Sequence, residues 1–461
     1  MSSSNPRRAA VDLLLRVENE AVFADHLIDR ELAGGLLQGP DRGLFTELVY
    51  GVLRRRGTLD HIIGQFSKQP PEKLEPAVRV LLRTGLYQMF FLDRVPVSAA
   101  VNETVTLAAE MIPRAKGFIN AVLRSVDRGR DTIRYPDRER DRAGFLAARY
   151  SHPRWLVEQW LAQLGPVEAE ALAAAMVEQP PLTARVNTLK LSREDLVARF
   201  AADGIVATPC RYSPLALKLD LPGTVEQLPG FREGLFTIQD ESSQLVILLL
   251  DPQPGERVLD LCAAPGGKTT LIAQLMENRG EVTACDLTDA KLRRVEETAL
   301  RLGISIISTQ LSDAAAPPDR FREGYDRVLV DAPCSGLGVI RRNPEGKWRK
   351  GPEDLARLAA TQKKILKAAA GCVAPGGVLL YATCSTSETE NEAIVDDFLS
   401  RHPDFVLENG LTLFPDRGEL FTARGMFRSW PHRHSGMDGF FAARLRKTSF
   451  APPCSSSVKP G

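Results

Sequence analysis

The sequence predicts a multidomain protein in which an all-α domain and a small α+β module precede an α/β domain with a mainly parallel sheet. Residues 6–150 carry apolar side chains at helical spacing, and residues 150–250 mix helix and strand patterns. From residue 255 onward strands and helices alternate, which favours right-handed crossovers between parallel strands. We expect domains at residues 1–145, 146–240 and 241–447, followed by a polar, disordered tail at 448–461.

Composition excludes several classes of protein. The chain of 461 residues is 44% hydrophobic and 25% charged, with a net charge of +1, which is typical of globular proteins. It has no apolar run of about 18 residues, and its first residues lack a signal-peptide core. Seven cysteines without a CxxC pair argue against a disulfide framework or a zinc knuckle. We therefore expect a cytoplasmic protein with reduced thiols and no membrane partner.

Arginine dominates the basic residues of the first domain. Residues 1–150 contain 23 basic side chains, of which 20 are arginine. Arginine makes forked contacts to phosphate and stacks on bases. On charge alone, a solvated basic surface is the favoured interpretation, and RNA contact is the alternative.

The helices of the first domain are predicted from three amphipathic segments. These segments are RAAVDLLLRV, FTELVYGVL and PAVRVLLRTGLYQMFFL. Asp41 and Ser98 are candidate N-terminal helix caps. The charged segment 130–142 is interpreted as a linker.

The second module is predicted to be a small α+β unit. After two helices between residues 151 and 179, ARVNTLK and ALKLDLPG are typical of short strands, and SREDLVARFAADG is typical of a helix between them. The segment GLFTIQDESSQLVILLL then predicts a strand followed by a buried helix.

The third domain is predicted from five strand candidates that are separated by helices. The strands are ERVLDLC, EVTACD, SIISTQ, RVLVDAP and VLLYATCS. Helices are expected after Lys268, Asp289, Pro352 and Ser387. The late segments GMFRSW and DGFFAARL are expected to add an antiparallel edge to the sheet.

A small-residue turn after the first of these strands predicts a ligand pocket. It runs from Asp260 to Thr269 as DLCAAPGGKT, which is neither GxGxxG nor a phosphate loop. Small residues let the backbone approach a ligand closely. Asp286 and Asp313 follow the next two strands, where acids can bind a ribose and lie near a base. Asp286 has an alternative interpretation as a helix cap, but the combination favours an adenosine-bearing ligand.

Two cysteines are predicted to lie at the same sheet edge. Cys334 follows Asp331 in DAPCSG, and Cys384 lies in YATCST. Free cysteines are often inert core residues, and we assign Cys210, Cys262, Cys285 and Cys372 to that class. Methylation of cytosine is one reaction that would need such a thiol. Carbon 5 of cytosine is a poor nucleophile, and addition of a thiolate to carbon 6 activates it for methylation. A carboxyl such as Asp331 can bind the N3/N4 edge of the base.

These motifs resemble the Nop2/Sun family of RNA cytosine-C5 methyltransferases. DLCAAPGGKT, DAPCSG and YATCS occur in the family's order, and the similarity extends over about residues 150–446. The resemblance implies a Rossmann-like class I methyltransferase domain that uses S-adenosylmethionine. It implies that Cys384 is the nucleophile and that Cys334 helps to release the product. In DNA cytosine methyltransferases the PC motif carries the nucleophile, and that pattern would exchange the two roles.

The resemblance also implies a set of cofactor contacts. The residues concerned are Cys262, Ala263, Ala264, Pro265, Gly266, Gly267, Lys268, Asp286, Asp313 and Asp331. No metal is expected, because His152, His432 and His434 do not have the spacing of a zinc site.

The first domain resembles the helical RNA-binding NusB domain. The similarity is carried by DRGLFTELVYGVLRRRGTLDHII, LLRTGLYQMFFLDRVPVSAAVNETVTLA and AKGFINAVLRSV. A NusB-like domain joined to a Nop2/Sun domain is similar to bacterial enzymes that methylate cytosine 967 of 16S rRNA. The resemblance thus implies small-subunit ribosomal RNA as the partner and no DNA. We expect a monomer, although the sequence itself does not give the oligomeric state. The alternatives are a non-catalytic RNA-binding factor and a methyltransferase for tRNA or DNA.

A basic segment after DAPCSG is a candidate RNA contact. It contains Arg341, Arg342, Lys347, Trp348, Arg349 and Lys350. Basic side chains beside an aromatic ring suit phosphate contact and base stacking. The alternative is a solvated loop whose tryptophan packs into a core. Arg54, Arg55 and Arg56 are further candidates, with an ordinary surface helix as the alternative.

Overall fold

The computed structural model describes residues 4–20, 22–220 and 225–449, so most of the predicted tail lies outside the described residues. Internal contacts divide the chain into two compact units. The helical unit contains the residues up to Gln179 together with Ile340–Gly351. The second unit contains Pro180–Val339 and the chain from Pro352 onward. The fold class predicted from the sequence is confirmed, although the helical unit extends beyond the expected boundary at residue 145.

The helical unit is built from eight α-helices within the described residues. They are α1 (Pro6–Glu20), α2 (Ala24–Ala33), α3 (Pro40–Phe66), α4 (Pro76–Phe91), α5 (Val97–Met111), α6 (Lys116–Arg128), α7 (Arg142–Tyr150) and α8 (Arg154–Ala175). Leu14, Phe45, Leu81 and Leu123 are buried in its core. Asp41 and Ser98 do not cap helices: each is the second residue of its helix, after Pro40 in α3 and Val97 in α5.

The predicted RNA-binding segment is partly buried in the helical unit. Arg341 and Lys347 are only 2% and 1% exposed. The Lys347 Nζ lies 3.4 Å from the Arg54 carbonyl oxygen and 3.3 Å from the His152 Nδ1. Trp348 packs under the guanidinium of Arg56, 5.3 Å from its ring centroid. The prediction of phosphate contact is therefore wrong for Arg341 and Lys347, because both side chains are inside the fold.

The small α+β module has a four-stranded antiparallel sheet. Its elements are β1 (Leu182–Val186), α9 (Arg193–Ala202), β2 (Val206–Pro209), β3 (Ala216–Asp220) and β4 (Phe236–Ile238). The strand order is β2-β3-β1-β4, and Ala184 of β1 pairs with Leu217 on one side and Ile238 on the other. Strand β2 escapes the sequence analysis because it is mostly exposed and ends in a proline.

The second unit contains a larger, mixed sheet. Its strands are β5 (Arg257–Asp260), β6 (Glu281–Asp286), β7 (Ile307–Leu311), β8 (Tyr325–Asp331), β9 (Val373–Thr383), β10 (Phe405–Leu407), β11 (Phe427–Arg428) and β12 (Phe441–Lys447). Their order is β10-β12-β9-β8-β5-β6-β7, with β11 paired to β12. Strands β5 to β9 are parallel, and β12 runs antiparallel to β9. The predicted antiparallel strand β12 is thus not the edge, because β10 lies outside it.

Helices connect these strands at the positions that the sequence predicts. They are α10 (Glu241–Leu250), α11 (Gly267–Leu275), α12 (Asp289–Leu302), α13 (Pro352–Ala370) and α14 (Glu392–Arg401). Because β5, β6, β8 and β9 are parallel neighbours, the turns at their carboxyl ends meet at one edge of the sheet.

Two kinds of feature are absent from the described residues. None of the helices in this part of the chain has the length and apolarity that crossing a membrane requires. The same residues contain no group of three or more His, Cys, Asp or Glu side chains that could hold a metal ion.

Candidate active site

The turn between β5 and α11 forms a small-residue cradle. Gly266 precedes α11 with φ +101°, and an added Cβ there would lie 3.0 Å from the Val295 Cα. The position therefore requires glycine for both its conformation and its packing. An added Cβ at Gly267 would lie 3.6 Å from the Gln239 Nε2, which is ordinary van der Waals contact, so this position does not require glycine for packing. The first N–H groups of α11 have no acceptor within the helix, as at any helix start.

Asp286 ends β6 beside this turn. Its carboxylate is 7% exposed and accepts hydrogen bonds from the Ala264 N–H at 3.3 Å and the Leu287 N–H at 2.7 Å. The Lys291 ammonium donates to the same side chain at 3.0 Å. Asp286 is not the cap of α12, because that helix begins at Asp289 after Thr288. It is a buried carboxylate at a strand end, as a ribose-binding acid must be.

Asp313 lies after β7 and is exposed. Its Oδ1 accepts a hydrogen bond from the Ala315 N–H at 2.9 Å, which fixes the short turn that follows the strand. Strands β6 and β7 are neighbours in the sheet, so Asp313 follows the strand next to the one that ends in Asp286.

Lys268 and Asp331 form an ion pair between the turn and β8. The Lys268 Nζ lies 2.7 Å from the Asp331 Oδ2 and 5.0 Å from the centroid of the Phe440 ring. Burial alone lowers the pKa of Lys268, but the negative charge and hydrogen bond of Asp331 outweigh it, so the pKa is raised. A charged Cys384 thiolate contributes in the same direction, which places the ammonium within electrostatic range of that sulfur.

The two predicted cysteines are in contact. The Sγ atoms of Cys334 and Cys384 lie 3.3 Å apart, and both residues are partly buried. The hydrogen bond to Cys384, followed by burial, raises the pKa of Cys334 well above its usual range. Either sulfur can donate the hydrogen in this contact. The raised pKa of Cys334 favours its protonated form.

A buried carboxylate holds both cysteine loops. Glu390 is 0% exposed and accepts hydrogen bonds from Ser335, which follows Cys334, and from Ser385, which follows Cys384. The Ser335 N–H donates to its Oε1 at 2.8 Å, and the Ser335 and Ser385 hydroxyls lie 3.1 Å apart. Glu390 thus fixes the separation of the two loops.

Asn391 and Gln362 complete this support. The Asn391 side chain donates to the Ser385 carbonyl at 2.9 Å, and Gln362 donates to the Pro333 carbonyl at 3.0 Å. Sequence analysis missed these residues and Glu390. For Glu390 and Asn391 the available signal was the polar segment SETENE, at the start of the helix predicted after Ser387.

Close backbone contacts also hold the cysteine loops. The Gly338 N–H donates to the Cys384 carbonyl at 2.9 Å. An added Cβ at Gly338 would lie 1.8 Å from the Gly439 carbonyl oxygen. Glycine at position 338 is therefore required for three chain segments to meet beside the thiols.

Arg185 of the small module stabilises the turn between β5 and α11 by hydrogen bonds. It is 1% exposed, and its guanidinium donates to the Gly267 carbonyl at 2.5 Å and to the Thr270 hydroxyl at 3.0 Å. The segment ARVNTLK thus contributes a structural support to the start of α11. The sequence placed it in a strand but gave no indication of this contact.

Asp260 makes the stability of the second unit depend on pH. Burial raises its pKa to about 7, against hydrogen bonds from the Thr269 hydroxyl at 2.8 Å and the Cys262 N–H at 3.3 Å. The unfolded chain releases this proton near pH 3.8, so between these values the folded state binds more protons and stability falls as pH rises. Full ionisation costs on the order of 4 kcal/mol. We expect Asp260→Asn to flatten the fall in thermal midpoint between pH 4 and pH 7.

The matched control for that measurement is Asp326→Asn, which changes an exposed carboxylate of the same sheet. Its pH profile should follow that of the parent protein. Identical profiles for Asp260→Asn and the parent would show that Asp260 does not carry the effect.

The structure brings together most of the residues that the sequence singled out. The turn, Asp286, Asp331, Cys334 and Cys384 all lie at the carboxyl edge of the parallel strands. Cys285 and Cys372 are buried, and burial raises the pKa of each, to about 12 and about 11 respectively. Cys262 and Cys210 also have raised pKa values because of burial. His152 and His434 are buried and hydrogen-bonded to backbone groups.

Three family models match the chain in succession. Residues 4–128 match the NusB family, and residues 152–226 match the ferredoxin-like domain of RsmF/B-like methyltransferases. Residues 247–446 match 16S rRNA methyltransferase RsmB/F.

Similar proteins extend over almost the whole chain. A probable ribosomal RNA small subunit methyltransferase B of Bacillus subtilis (strain 168) is 40% identical over 97% of this chain and 100% of its own length. A ribosomal RNA small subunit methyltransferase B of Serratia proteamaculans (strain 568) is 39% identical over 88% of this chain and 91% of its own.

Solved structures are also similar to this chain. The crystal structure of PH0851 has a TM-score of 0.80 at 29% identity and covers 96% of this chain and 99% of that one. NSun6 from Pyrococcus horikoshii, solved with SFG, has a TM-score of 0.57 at 25% identity and covers 65% of this chain and 99% of that one. The chain therefore belongs to the 16S rRNA methyltransferase RsmB/F family and carries a NusB domain at its N-terminus.

Proposed function

We propose that this protein methylates carbon 5 of a cytosine in small-subunit ribosomal RNA, through a covalent bond between Cys384 and carbon 6 of the base. The observation that carries the proposal is the pair of sulfur atoms 3.3 Å apart, held at the sheet edge beside the CAAPGGK turn. A methyltransferase that needed no nucleophile would have no use for two thiols in contact at this place.

Cys384 is the better nucleophile of the pair. The thiolate is the reactive form of cysteine, and Cys334 is the sulfur whose proton is retained. The Lys268 ammonium adds positive charge near Cys384. In the reaction the Cys384 thiolate adds to C6, the C5 carbon takes the methyl group, and a base removes the C5 proton. The C6–sulfur bond then breaks and returns the electron pair to Cys384.

Asp331 and Lys268 hold the cytosine ring in this scheme. Asp331 is partly exposed at the end of β8, three residues before Cys334. A carboxyl there can hydrogen-bond the N3/N4 edge of cytosine and stabilise the adduct. The ion pair to Lys268 fixes its orientation.

The residues of the turn and the following strands fit S-adenosylmethionine. The carboxylates of Asp286 and Asp313 provide acceptors for the ribose hydroxyls and beside the adenine, and the small residues of the turn let the backbone approach the ligand. The related NSun6 was solved with SFG, an analogue of S-adenosylmethionine. When bound, this donor supplies an electrophilic methyl group. The chain's own part is to orient that group toward the base and to exclude water.

The relatives support the substrate. Those from Bacillus subtilis and Serratia proteamaculans carry the name ribosomal RNA small subunit methyltransferase B. These names give no position, and we propose cytosine 967 of 16S rRNA because the joined NusB-like and Nop2/Sun domains resemble the bacterial enzymes that modify it. The test is to incubate the full chain with purified small-subunit rRNA and labelled S-adenosylmethionine and to map 5-methylcytosine at single-nucleotide resolution. One modified cytosine is expected, whereas transfer to tRNA alone would remove the ribosomal assignment.

Asp286→Asn is expected to weaken binding of S-adenosylmethionine by about 10- to 100-fold, because hydrogen bonds to a charged group contribute about 1.5–3 kcal/mol. Isothermal titration calorimetry on the full chain measures this directly. Asp289→Asn, at an exposed position three residues further on, is the matched control and should keep the parent affinity. Unchanged affinity in Asp286→Asn would mean that this carboxylate only holds the N–H groups of Ala264 and Leu287.

A further inference from the structure

Arg185 of β1 is a buried cation that has no acidic partner within the described residues. It is 1% exposed, its Nε has no hydrogen-bond partner, and none of its hydrogen bonds goes to a carboxylate. Burial lowers the pKa of Arg185 to about 9, so the guanidinium is still charged near neutral pH. A charge that loses its hydration without gaining an ion pair costs stability. Residues that cost stability in this way are expected at functional sites.

The hydrogen bonds of Arg185 reach the start of α11. The guanidinium donates to the Gly267 carbonyl at 2.5 Å, to the Thr270 hydroxyl at 3.0 Å and to the Gln239 side-chain carbonyl at 2.5 Å. The Thr270 hydroxyl in turn donates to the Gly266 carbonyl at 2.7 Å. Arg185 therefore fixes the first turn of α11 and, through Thr270, the glycine that precedes this helix with φ +101°.

Two further hydrogen bonds join the small module to the helices that follow β5 and β6. The Gln274 side chain of α11 donates to the Val186 carbonyl at 3.0 Å, and the Asn187 side chain donates to the Leu302 carbonyl of α12 at 2.8 Å. Gln274 and Leu302 lie in the last turns of their helices, and the groups involved are neutral. These bonds hold the module against the helices, whereas Arg185 extends the contact to the turn itself.

The turn that Arg185 contacts has few side chains that could stabilise it. Residues 263–267 are Ala, Ala, Pro, Gly and Gly, and none of these side chains can form a hydrogen bond. Glycine also leaves the backbone more conformational freedom than other residues do. A ligand that binds a loose turn loses affinity to the entropy of ordering it, and contacts that order the turn beforehand increase the affinity. Hydrogen bonds from the small module are therefore expected to affect ligand binding at this turn.

We propose that Arg185 is a positioning residue for S-adenosylmethionine, and that the small α+β module takes part in binding the methyl donor through it. The inference rests on the proposed function, because S-adenosylmethionine is the ligand proposed there for the turn. Arg185 acts through the backbone of the turn and not through the thiol pair, so it affects the affinity for the donor and not the chemical step. A module that served only to contact RNA would leave donor binding unchanged when Arg185 is replaced.

The binding test uses isothermal titration calorimetry with S-adenosylmethionine on the full chain, at a temperature where circular dichroism shows each variant folded. Arg185→Met removes the charged donor and is expected to weaken binding at least about tenfold. Arg185→Lys keeps a charged donor and should lose less than about fivefold. In methyl-transfer assays Arg185→Met should raise the KM for the donor, while kcat and the affinity for small-subunit rRNA stay at the parent values.

The matched control is Leu219→Ala. Leu219 is buried in β3 and lies opposite Leu182, at the other end of β1 from Arg185. Loss of this side chain should lower the thermal midpoint, because it leaves a cavity in the small module, while the affinity for S-adenosylmethionine stays at the parent value.

Hydrogen exchange tests the same role without any ligand. In the unliganded full chain, Arg185→Met should speed amide exchange at Thr270 and Leu271 by about fivefold or more, whereas Leu219→Ala should not. Thr270→Val keeps the test valid if Arg185→Met does not fold. It removes the hydroxyl that links Arg185 to Gly266 and should weaken donor binding by about threefold or more.

Parent affinity for the donor in Arg185→Met, or in Thr270→Val where Arg185→Met does not fold, would overturn the inference. An equal loss in Leu219→Ala would also overturn it, because the module would then act on binding only through stability. A loss of rRNA affinity with donor affinity unchanged would assign Arg185 to RNA binding instead. If the parent chain itself did not bind S-adenosylmethionine, the proposed cofactor would be wrong, so that failure is distinguishable from failure of the inference about Arg185.

Discussion

Cys384→Ala is expected to abolish turnover and the covalent complex with RNA. If Cys384 provides the sulfur that adds to C6, its loss removes the step that makes C5 nucleophilic. The neighbouring sulfur, Cys334 at 3.3 Å, has a pKa held well above its usual range and is a poor replacement. Turnover should fall by roughly 10⁴-fold or more, as for other enzymes that lose their nucleophile. Labelled methyl transfer to small-subunit rRNA and a denaturing gel for the adduct measure both effects.

The matched control is Cys372→Ala. Cys372 is a buried cysteine of the same unit, and its thiol contacts the Ala368 carbonyl at 3.8 Å and lies outside the sheet edge that carries the thiol pair. This variant should retain the parent rate. If instead Cys384→Ala remains active and the adduct maps to Cys334, the roles of the two cysteines are exchanged, as in the DNA methyltransferase pattern.

The parallel part of the fold is predictable because its signals are local and repeated. Strands β5 to β9 are short apolar runs that end in polar turns, and the alternation with helices restricts their topology. The meeting of the turn, Asp286, Asp331 and the two cysteines then follows from the sheet itself, since parallel neighbours end at one edge. The identity of the nucleophile does not follow from this geometry and was implied by the family resemblance.

The residues that escaped prediction depend on contacts between distant parts of the chain. Glu390 looks like an ordinary acid in a polar segment, and only the fold brings it between Ser335 and Ser385. Lys347 looks like a phosphate ligand, but the segment 340–351 is folded into the helical unit and buries it. Strand β10 has three residues and an exposed middle position, which is too short for a periodic pattern. Burial of a polar side chain is decided by its partners, and the sequence does not reveal those partners.

Cys334→Ala is expected to slow product release and to accumulate the RNA adduct. Cys334 holds its proton against Cys384 at 3.3 Å, so it is placed to protonate or shield the leaving thiolate when the C6–sulfur bond breaks. Without it, addition and methylation still occur, but the Cys384 thiolate departs less easily. Because general acid–base groups contribute about 10²- to 10⁴-fold, steady-state turnover should fall by about 100-fold or more while a first methylation is retained.

The double variant Cys334→Ala with Cys384→Ala separates this role from a general disturbance of the site. It should form no adduct, since the trapped bond requires the Cys384 sulfur, whereas the single variant should give a stable band on a denaturing gel that disappears on nuclease digestion. A fully active single variant with no adduct would show that Cys334 takes no part in release. An inactive one that also lacks adduct would show that Cys334 is needed before the C6–sulfur bond forms, and the hydrogen bond between the two thiols would then act on addition and not on release.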